Sequence, residues 1–348
     1  MRKILIFLSP FIVIGLAFEF ALWKTGDLWT PQFALHHQQK SSKESIYGPR
    51  FFSDQFNIYK LSGIRYRQPW ILAIGSSRVM QIRDIMFSPM EAKFYNGGGI
   101  LRNALDLETF AAMLVGEELP LPKVLIVGLD PWWLRTNYGS TTWLHDPDEH
   151  LSFAGHIEAF RQTFKKGAFK KVITATSVSE SPHFGYETIG TSARIEGAGF
   201  RKDGSSLYPP NVFLEFLESP QYIDRESPAI IDRILTARRE FALPAEIDEK
   251  RVKMIIDALA LIQKKGVEIV AFMPPFSTEA FEAIENSQPL RQWWTYYKTE
   301  FPKLLKKHHI LVVSVSHPGE FHLQDTSMFD GWHPSEVFIG HLMAQMLK

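Results

Sequence analysis

The residue types that could carry out chemistry in this chain lie in two short motifs far apart in the sequence. The first is Ser76-Ser77-Arg78, which follows the apolar run 70–74 and Gly75. A glycine lets the chain turn sharply, and a serine at such a turn is exposed beside free backbone N–H groups that could stabilise an oxyanion. The motif is short, and either serine could instead act only as a helix N-cap.

The second motif is Asp330-Gly331-Trp332-His333-Pro334, at the start of a segment with helical spacing. A serine hydroxyl becomes a good nucleophile when a base takes its proton, and the usual base is a histidine oriented by a carboxylate. Asp330 and His333 are three residues apart, so both side chains can lie on one side of a turn. The pair predicts the base and orienting acid of a serine nucleophile. The alternative is an aspartate N-cap beside a surface histidine.

Short apolar runs alternate with segments of helical periodicity, and these elements must position the two motifs. Apolar strands separated by helices predict a parallel sheet covered on both faces, hence an α/β fold. We expect strands at residues 70–74, 93–96, 123–129, 267–273 and 310–315. We expect helices after Arg78 and at residues 101–115, 251–264 and 334–348. Residues 145–245 break this rhythm and are interpreted as an insertion that could build the substrate side of a site.

The order and setting of the two motifs resemble the SGNH, or GDSL-type, hydrolase superfamily. In that family the nucleophilic serine follows the first strand, and a D-x-x-H sequence near the C terminus supplies acid and base. The resemblance implies a triad of Ser77, His333 and Asp330, and a flavodoxin-like three-layer α/β/α sandwich with a central parallel sheet. It covers residues 66–145 and 247–348.

The resemblance also implies an oxyanion hole, for which the match is looser. A family glycine on the loop after the second strand corresponds to Gly98 or Gly99, which follow Asn96. Asp130 stands where the family has asparagine, and an ionised carboxylate cannot donate a hydrogen bond. We therefore expect Asp130 to be neutral or to have another role, or Asn96 or Arg78 to supply the missing donor. Arg78 could hold an anion or pair structurally with Asp130.

Residues 4–23 form an apolar run preceded by Arg2 and Lys3. As a helix this run is ~30 Å long, enough to cross a bilayer core. We expect an uncleaved transmembrane anchor over residues 1–24, a juxtamembrane segment over 25–65, and the main domain, 66–348, outside the cytoplasm. A cleaved signal peptide and a buried helix of a soluble protein are the alternatives.

Composition excludes several classes of function. The 38 basic and 38 acidic side chains give zero net charge, which argues against a nucleic-acid partner. The chain has no cysteine, so disulfides and thiolate chemistry are excluded. No phosphate-binding loop indicates a nucleotide cofactor, and no cofactor is expected. The segment 145–150 has metal-binding residue types without a known ligand spacing, so no metal site is predicted.

The anchor and the two motifs together resemble the DltD-type and polysaccharide O-acetylation proteins within the superfamily. This implies an acyl-esterase or O-acyltransferase for small acyl groups of cell-envelope glycans. Its partners would be a carbohydrate substrate, the bilayer through residues 4–23, and a membrane-bound O-acyltransferase. The alternatives are an inactive scaffold of such a system and a glycan-binding protein. Trp132-Trp133 would be either a sugar-stacking platform or core side chains.

Overall fold

A computed structural model of the chain describes residues 2–48, 56–136, 185–208 and 223–346, with isolated residues between 138 and 180. It divides into two compact units. The first comprises residues 1–62, 147–202 and 206–211, and the second comprises residues 63–146, 203–205 and 212–348. The described candidate site residues all belong to the second unit. The segment 145–150, considered above for metal binding, lies outside the described residues.

The described part of the chain contains ten strands: β1 Ser45–Tyr47, β2 Ile71–Ile74, β3 Phe94–Asn96, β4 Val124–Gly128, β5 Ser179–Glu180, β6 Glu187–Ile189, β7 Gly199–Phe200, β8 Ser206–Leu207, β9 Glu268–Met273 and β10 Leu311–Ser314. The same part contains eleven α-helices: α1 Arg2–Thr25, α2 Pro31–Lys40, α3 Asn57–Arg67, α4 Ala104–Val115, α5 Thr191–Glu196, α6 Ile223–Leu235, α7 Glu249–Gln263, α8 Thr278–Asn286, α9 Arg291–Thr295, α10 Phe301–Lys307 and α11 Glu336–Met346.

The second unit is built on a five-stranded sheet in the order β3-β2-β4-β9-β10. Every neighbouring pair of strands is parallel. The predicted α/β class with a central parallel sheet is therefore confirmed, and the arrangement is compatible with a three-layer sandwich. In a doubly wound sheet of this order, ligands bind beyond the carboxyl ends of the strands, where the strand order reverses. Here that point lies between β2 and β4.

The sheet of the second unit is covered by helices that the apolar spacing predicted. Phe338, Ile339 and Leu342 of α11 pack in one cluster with side chains such as Ile126 and Phe272 from the sheet. Helices α4 and α7 pack against each other. Full burial of a side chain of this size contributes about 1.5–3 kcal/mol, so these contacts dominate the stability of the scaffold.

The helix expected directly after Arg78 is absent from the structure. The chain between β2 and β3 instead forms 3-10 turns at Ser77–Val79, Asp84–Phe87 and Glu91–Lys93. The physical reason lies in Asn96, whose side-chain amide donates to the carbonyl oxygens of Val79 at 2.9 Å and Ile82 at 2.7 Å. These carbonyls are thereby held by a side chain from β3 rather than by an α-helical ladder.

The first unit has its own sheet, in the order β5-β6-β1-β7-β8, with β1 parallel to β6 and antiparallel to β7. Its strands come from residues 45–47 and 179–207, so the segment expected to be juxtamembrane contributes a central strand. Within the same unit, the Asp27 carboxylate accepts hydrogen bonds from the backbone N–H and the hydroxyl of Thr191 at 2.8 and 3.0 Å. The segment around Asp27 is thus folded into this unit.

Helix α1 does not support the expected transmembrane anchor. Over the residues that the structure describes, no helix is both long enough and apolar enough to cross a bilayer. The C-terminal turns of α1 pack against protein, since Phe18, Ala21 and Leu22 are buried in a cluster that includes Ile195. The anchor expected at residues 4–23 is corrected accordingly. The extracytoplasmic location depended on that anchor and stays a prediction.

Candidate active site

Gly75 makes the sharp turn that presents Ser77 at the carboxyl end of β2. Its φ is +151°, and a Cβ added there would lie 3.1 Å from the Cα of Gly128, so only glycine fits without strain. Ser76 caps the following 3-10 turn, because its Oγ accepts from the backbone N–H of Arg78 at 3.3 Å. The Ser77 N–H has no hydrogen-bond partner within the described residues. It is available to a ligand.

Ser77, His333 and Asp330 form a continuous chain of hydrogen bonds. Ser77 Oγ lies 2.8 Å from His333 Nε2, and His333 Nδ1 lies 2.6 Å from Asp330 Oδ2. A carboxylate can only accept, so Nδ1 carries the proton and Nε2 accepts from the serine hydroxyl. This tautomer is the one in which His333 can take the proton of Ser77.

A short loop fixes the orientation of Asp330 relative to His333. The Asp330 Oδ1 accepts from the backbone N–H groups of Trp332 at 2.9 Å and His333 at 2.8 Å. Burial raises the pKa of Asp330, but the nearby His333 and these two N–H groups together outweigh it, and the net pKa is below its ordinary value. Asp330 is therefore ionised at neutral pH, and its carboxylate accepts from the imidazole Nδ1 and from two backbone N–H groups of the loop.

The Arg78 side chain, which is 1% exposed, has a structural role. Its NH1 donates to Asp130 Oδ1 at 3.0 Å, and its Nε donates to the carbonyl oxygen of Trp332 at 2.9 Å. Its NH2 donates to the carbonyl oxygen of Pro274 at 2.9 Å and also to that of Pro275. Of the two roles considered from the sequence, the geometry gives the pairing with Asp130. Each nitrogen of the guanidinium therefore already donates a hydrogen bond to an acceptor within the protein.

Asp130 follows β4 and is buried beside the nucleophile turn. Burial raises the pKa of Asp130 above its ordinary value, and the charge of Arg78 and the nearby hydroxyl of Ser76 offset only part of that rise. Its Oδ1 accepts from Arg78, and its buried Oδ2 accepts no hydrogen bond from the residues that the structure describes. Of the expectations for Asp130, the geometry supports the one in which this residue has another role, namely pairing with Arg78.

The residues expected around the oxyanion after β3 are held in internal hydrogen bonds. The Gly98 N–H donates to Asn96 Oδ1 at 2.7 Å, and the Gly99 N–H donates to the carbonyl oxygens of Gly75 at 2.8 Å and Ser76 at 3.1 Å. The Asn96 amide group serves Val79 and Ile82, as described above. These three residues shape the loop beside the site, and none of these donors is directed at a ligand.

The paired tryptophans after β4 are core side chains, which was one of the two sequence interpretations. Trp132 is 5% exposed and Trp133 is fully buried. Trp132 nevertheless reaches the site, because its ring centre lies 5.5 Å from that of Trp332.

Trp332 directly precedes His333 in the chain. It is partly exposed, and its ring centre lies 5.9 Å from that of His333. Phe241 stacks against Trp332 at 6.3 Å, and the Arg233 guanidinium carbon lies 5.3 Å from the Trp332 ring centre. Sequence reasoning missed Phe241 and Arg233, because both lie in the insertion and neither belongs to a motif. Their placement next to Trp332 becomes visible only in the folded chain.

Comparison with known proteins identifies no relative of this chain. No protein-family model, no curated protein and no solved structure matches the chain.

Proposed function

We propose that this protein is a serine acyl-esterase or O-acyltransferase of the SGNH type that acts on small acyl groups of glycans. The observation that carries the proposal is the hydrogen-bonded chain from Ser77 Oγ through His333 to Asp330 Oδ2, with distances of 2.8 and 2.6 Å. The site lies at the carboxyl edge of a parallel sheet, beside the point where the strand order reverses. Ligands of doubly wound folds bind at that position.

The reaction follows from the roles of the three side chains. Ser77 Oγ attacks the ester carbonyl carbon while His333 Nε2 takes the hydroxyl proton, and the Asp330 carboxylate stabilises the imidazolium. The Ser77 N–H donates to the oxyanion. When the ester C–O bond breaks, His333 returns the proton to the leaving alcohol. Water or a sugar hydroxyl then attacks the acyl-enzyme by the same proton transfers in reverse.

The aromatic surroundings of His333 support a carbohydrate as the alcohol part of the substrate. Trp332 is partly exposed next to the base and is held by Phe241 and Trp132. An aromatic ring offers an apolar face for the C–H groups of a sugar while its edge stays near polar groups. A sugar ring against Trp332 would lie next to the imidazole that donates the proton to its oxygen.

A fluorophosphonate probe tests the proposal directly, since it reacts with activated serines. We expect the full chain to be labelled and the Ser77→Ala variant to lose labelling. Ser76→Ala is the matched control, because Ser76 is adjacent and its hydroxyl is not bonded to a histidine. We expect this control to be labelled. Folded wild-type protein that resists the probe, or a Ser77→Ala variant that is still labelled, would contradict the proposal.

A second candidate function is a catalytically weak scaffold that binds glycans. A specific observation favours it, namely that the donors of Asn96, Gly98 and Gly99 are all used inside the protein. An oxyanion would then depend on the Ser77 N–H. Loss of one oxyanion donor costs about 10²–10³ in kcat, so a slow enzyme is consistent with this geometry. Glycan binding that persists in Ser77→Ala without measurable ester turnover by wild type would favour the scaffold.

A further inference from the structure

The Arg78 side chain links four loops that surround the candidate nucleophile. It follows Ser77 directly and donates to Asp130 after β4, to Pro274 and Pro275 after β9, and to Trp332 beside the base. These loops lie at the carboxyl ends of three strands and in the segment before α11. The loops are separated in the sequence, and the hydrogen bonds of the Arg78 guanidinium connect them.

The environment of Arg78 restricts its position. Its guanidinium carbon lies 4.3 Å from the ring centre of Phe276 and 5.4 Å from that of Trp132. Guanidinium groups stack on aromatic faces and donate in a planar fork, so ring contacts and hydrogen bonds fix both plane and direction. A buried cation also needs a counter-charge, which Asp130 supplies at 3.0 Å.

We infer that the buried Arg78–Asp130 pair is a positioning element that holds the base His333 against the nucleophile Ser77. This inference rests on the proposed acyl-transfer function. The Arg78 Nε bonds the Trp332 carbonyl one residue before His333, while its backbone lies one residue after Ser77. A shift of the guanidinium therefore changes the separation of Ser77 Oγ and His333 Nε2. The pair itself does not contact the reacting atoms.

The test compares Arg78→Lys with wild type in the full chain. Lysine keeps the charge but donates from a single point, so it cannot hold Asp130, Trp332 and the proline carbonyls together. We expect kcat for p-nitrophenyl acetate to fall about 100-fold, as for other small misplacements of catalytic groups, with little change in KM. We also expect loss of the downfield proton NMR signal of the His333–Asp330 hydrogen bond.

Arg135→Lys is the matched control. Arg135 is also 1% exposed, donates to the backbone carbonyls of Glu240 and Pro244, and lies 5.3 Å from the Trp293 ring centre. It does not contact the triad, so its replacement should lower the melting temperature while kcat and the downfield signal remain. Added guanidinium should restore part of the activity of Arg78→Ala and leave the activity of Arg135→Ala unchanged, which tests the same point with a second variant.

The inference is overturned if Arg78→Lys stays folded with wild-type kcat and an unchanged downfield signal. It is also overturned if Arg135→Lys changes both quantities as strongly. Failure of the proposed function has a different signature, because wild type would then neither hydrolyse the ester nor bind the probe. The downfield signal would still report whether Arg78 positions His333.

Discussion

Arg78 Nε donates to the carbonyl oxygen of Trp332 at 2.9 Å, although the two residues are 254 positions apart. Arg78 follows Ser77 and Trp332 precedes His333, so this hydrogen bond runs beside the contact between Ser77 Oγ and His333 Nε2. Two motifs from distant parts of the chain are thereby joined twice, once between the side chains of Ser77 and His333 and once through Arg78.

Asp330→Asn should leave the loop folded but disable the base. An asparagine can present its N–H to Nδ1, which favours the imidazole tautomer that carries the proton on Nε2. That tautomer cannot accept the proton of Ser77, and losses of up to ~10⁴ in kcat are expected from such a change. Turnover of a chromogenic acetyl ester measures the effect.

The control for Asp330→Asn is Asp325→Asn. Asp325 also sits in the loop before α11, where its Oδ1 accepts from the backbone N–H and the hydroxyl of Thr278 at 2.8 and 2.7 Å. Its replacement should lower stability without a comparable loss of turnover. Equal losses of turnover in both variants would contradict the assignment of Asp330 as the orienting acid.

Asp84 gives the second unit a pH-dependent stability. Burial and the neighbouring Asp203 raise the pKa of Asp84 from its ordinary value to about 6. A pKa raised by folding means that the stabilising contribution is complete below the unfolded pKa and is lost as the pH rises through about 6. Asp84→Asn should therefore raise the melting temperature relative to wild type by a few degrees at pH 8 and much less at pH 4.

Asp203→Asn is the control for the Asp84 prediction, because its expected effect on stability at pH 8 has the opposite sign. The Asp203 carboxylate accepts from the N–H and the hydroxyl of Ser205 at 2.9 and 2.6 Å and from the N–H of Asp84 at 3.0 Å. Burial raises the pKa of Asp203, but these donors outweigh it and the net pKa is lowered. Asp203→Asn should destabilise the protein at pH 8. A melting temperature of Asp84→Asn that follows wild type at every pH would refute the prediction.

Gly75→Ala should impair both stability and labelling at Ser77. Alanine at φ +151° is strained, and its Cβ would crowd the Cα and carbonyl oxygen of Gly128 at 3.1 Å. We expect a cost of about 1–3 kcal/mol in the free energy of unfolding and a displaced nucleophile. Thermal denaturation and fluorophosphonate labelling rates measure the two effects.

Gly266→Ala separates backbone strain from crowding in this comparison. Gly266 has φ +82°, and a Cβ there would meet nothing within 4 Å. Its replacement should cost about 1–2 kcal/mol through the left-handed backbone alone and leave the labelling rate at its wild-type value. If Gly75→Ala is labelled as fast as Gly266→Ala, the turn at Gly75 does not position Ser77.

Trp332→Ala should weaken the use of acetylated sugars more than the use of a small ester. The ring centre lies 5.9 Å from that of His333. A sugar contact as strong as that between two aromatic side chains, about 0.5–1.5 kcal/mol, corresponds to roughly 2- to 12-fold in affinity. We expect KM for an acetylated oligosaccharide to rise in that range. KM for p-nitrophenyl acetate should change little.

Trp332→Phe is the control for the stacking prediction, because it retains an aromatic face. It should recover most of the oligosaccharide affinity lost in Trp332→Ala. An equal rise in KM for both substrates in Trp332→Ala would indicate that Trp332 supports the fold of the loop instead of contacting the sugar.

The sequence by itself determined the scaffold of the second unit. Continuous apolar runs can be buried only where both faces of a strand are covered, so the five parallel strands followed from local composition. The two motifs could also be recognised locally, because Gly75 is required by the turn before Ser77 and the three-residue spacing of Asp330 and His333 suits one loop. Local spacing carries this information without any knowledge of distant contacts.

Tertiary structure decided what the neighbours of the triad do. The sequence was compatible with two roles for Arg78. In the folded chain its guanidinium donates to the carbonyl oxygens of Pro274, Pro275 and Trp332. The Asn96 side chain holds two carbonyls of the preceding segment, where a helix was expected. The C-terminal turns of α1 pack on protein, where a membrane anchor was expected. Each outcome depends on hydrogen bonds or packing between different elements of the fold, and sequence spacing does not encode which acceptor a side chain will meet.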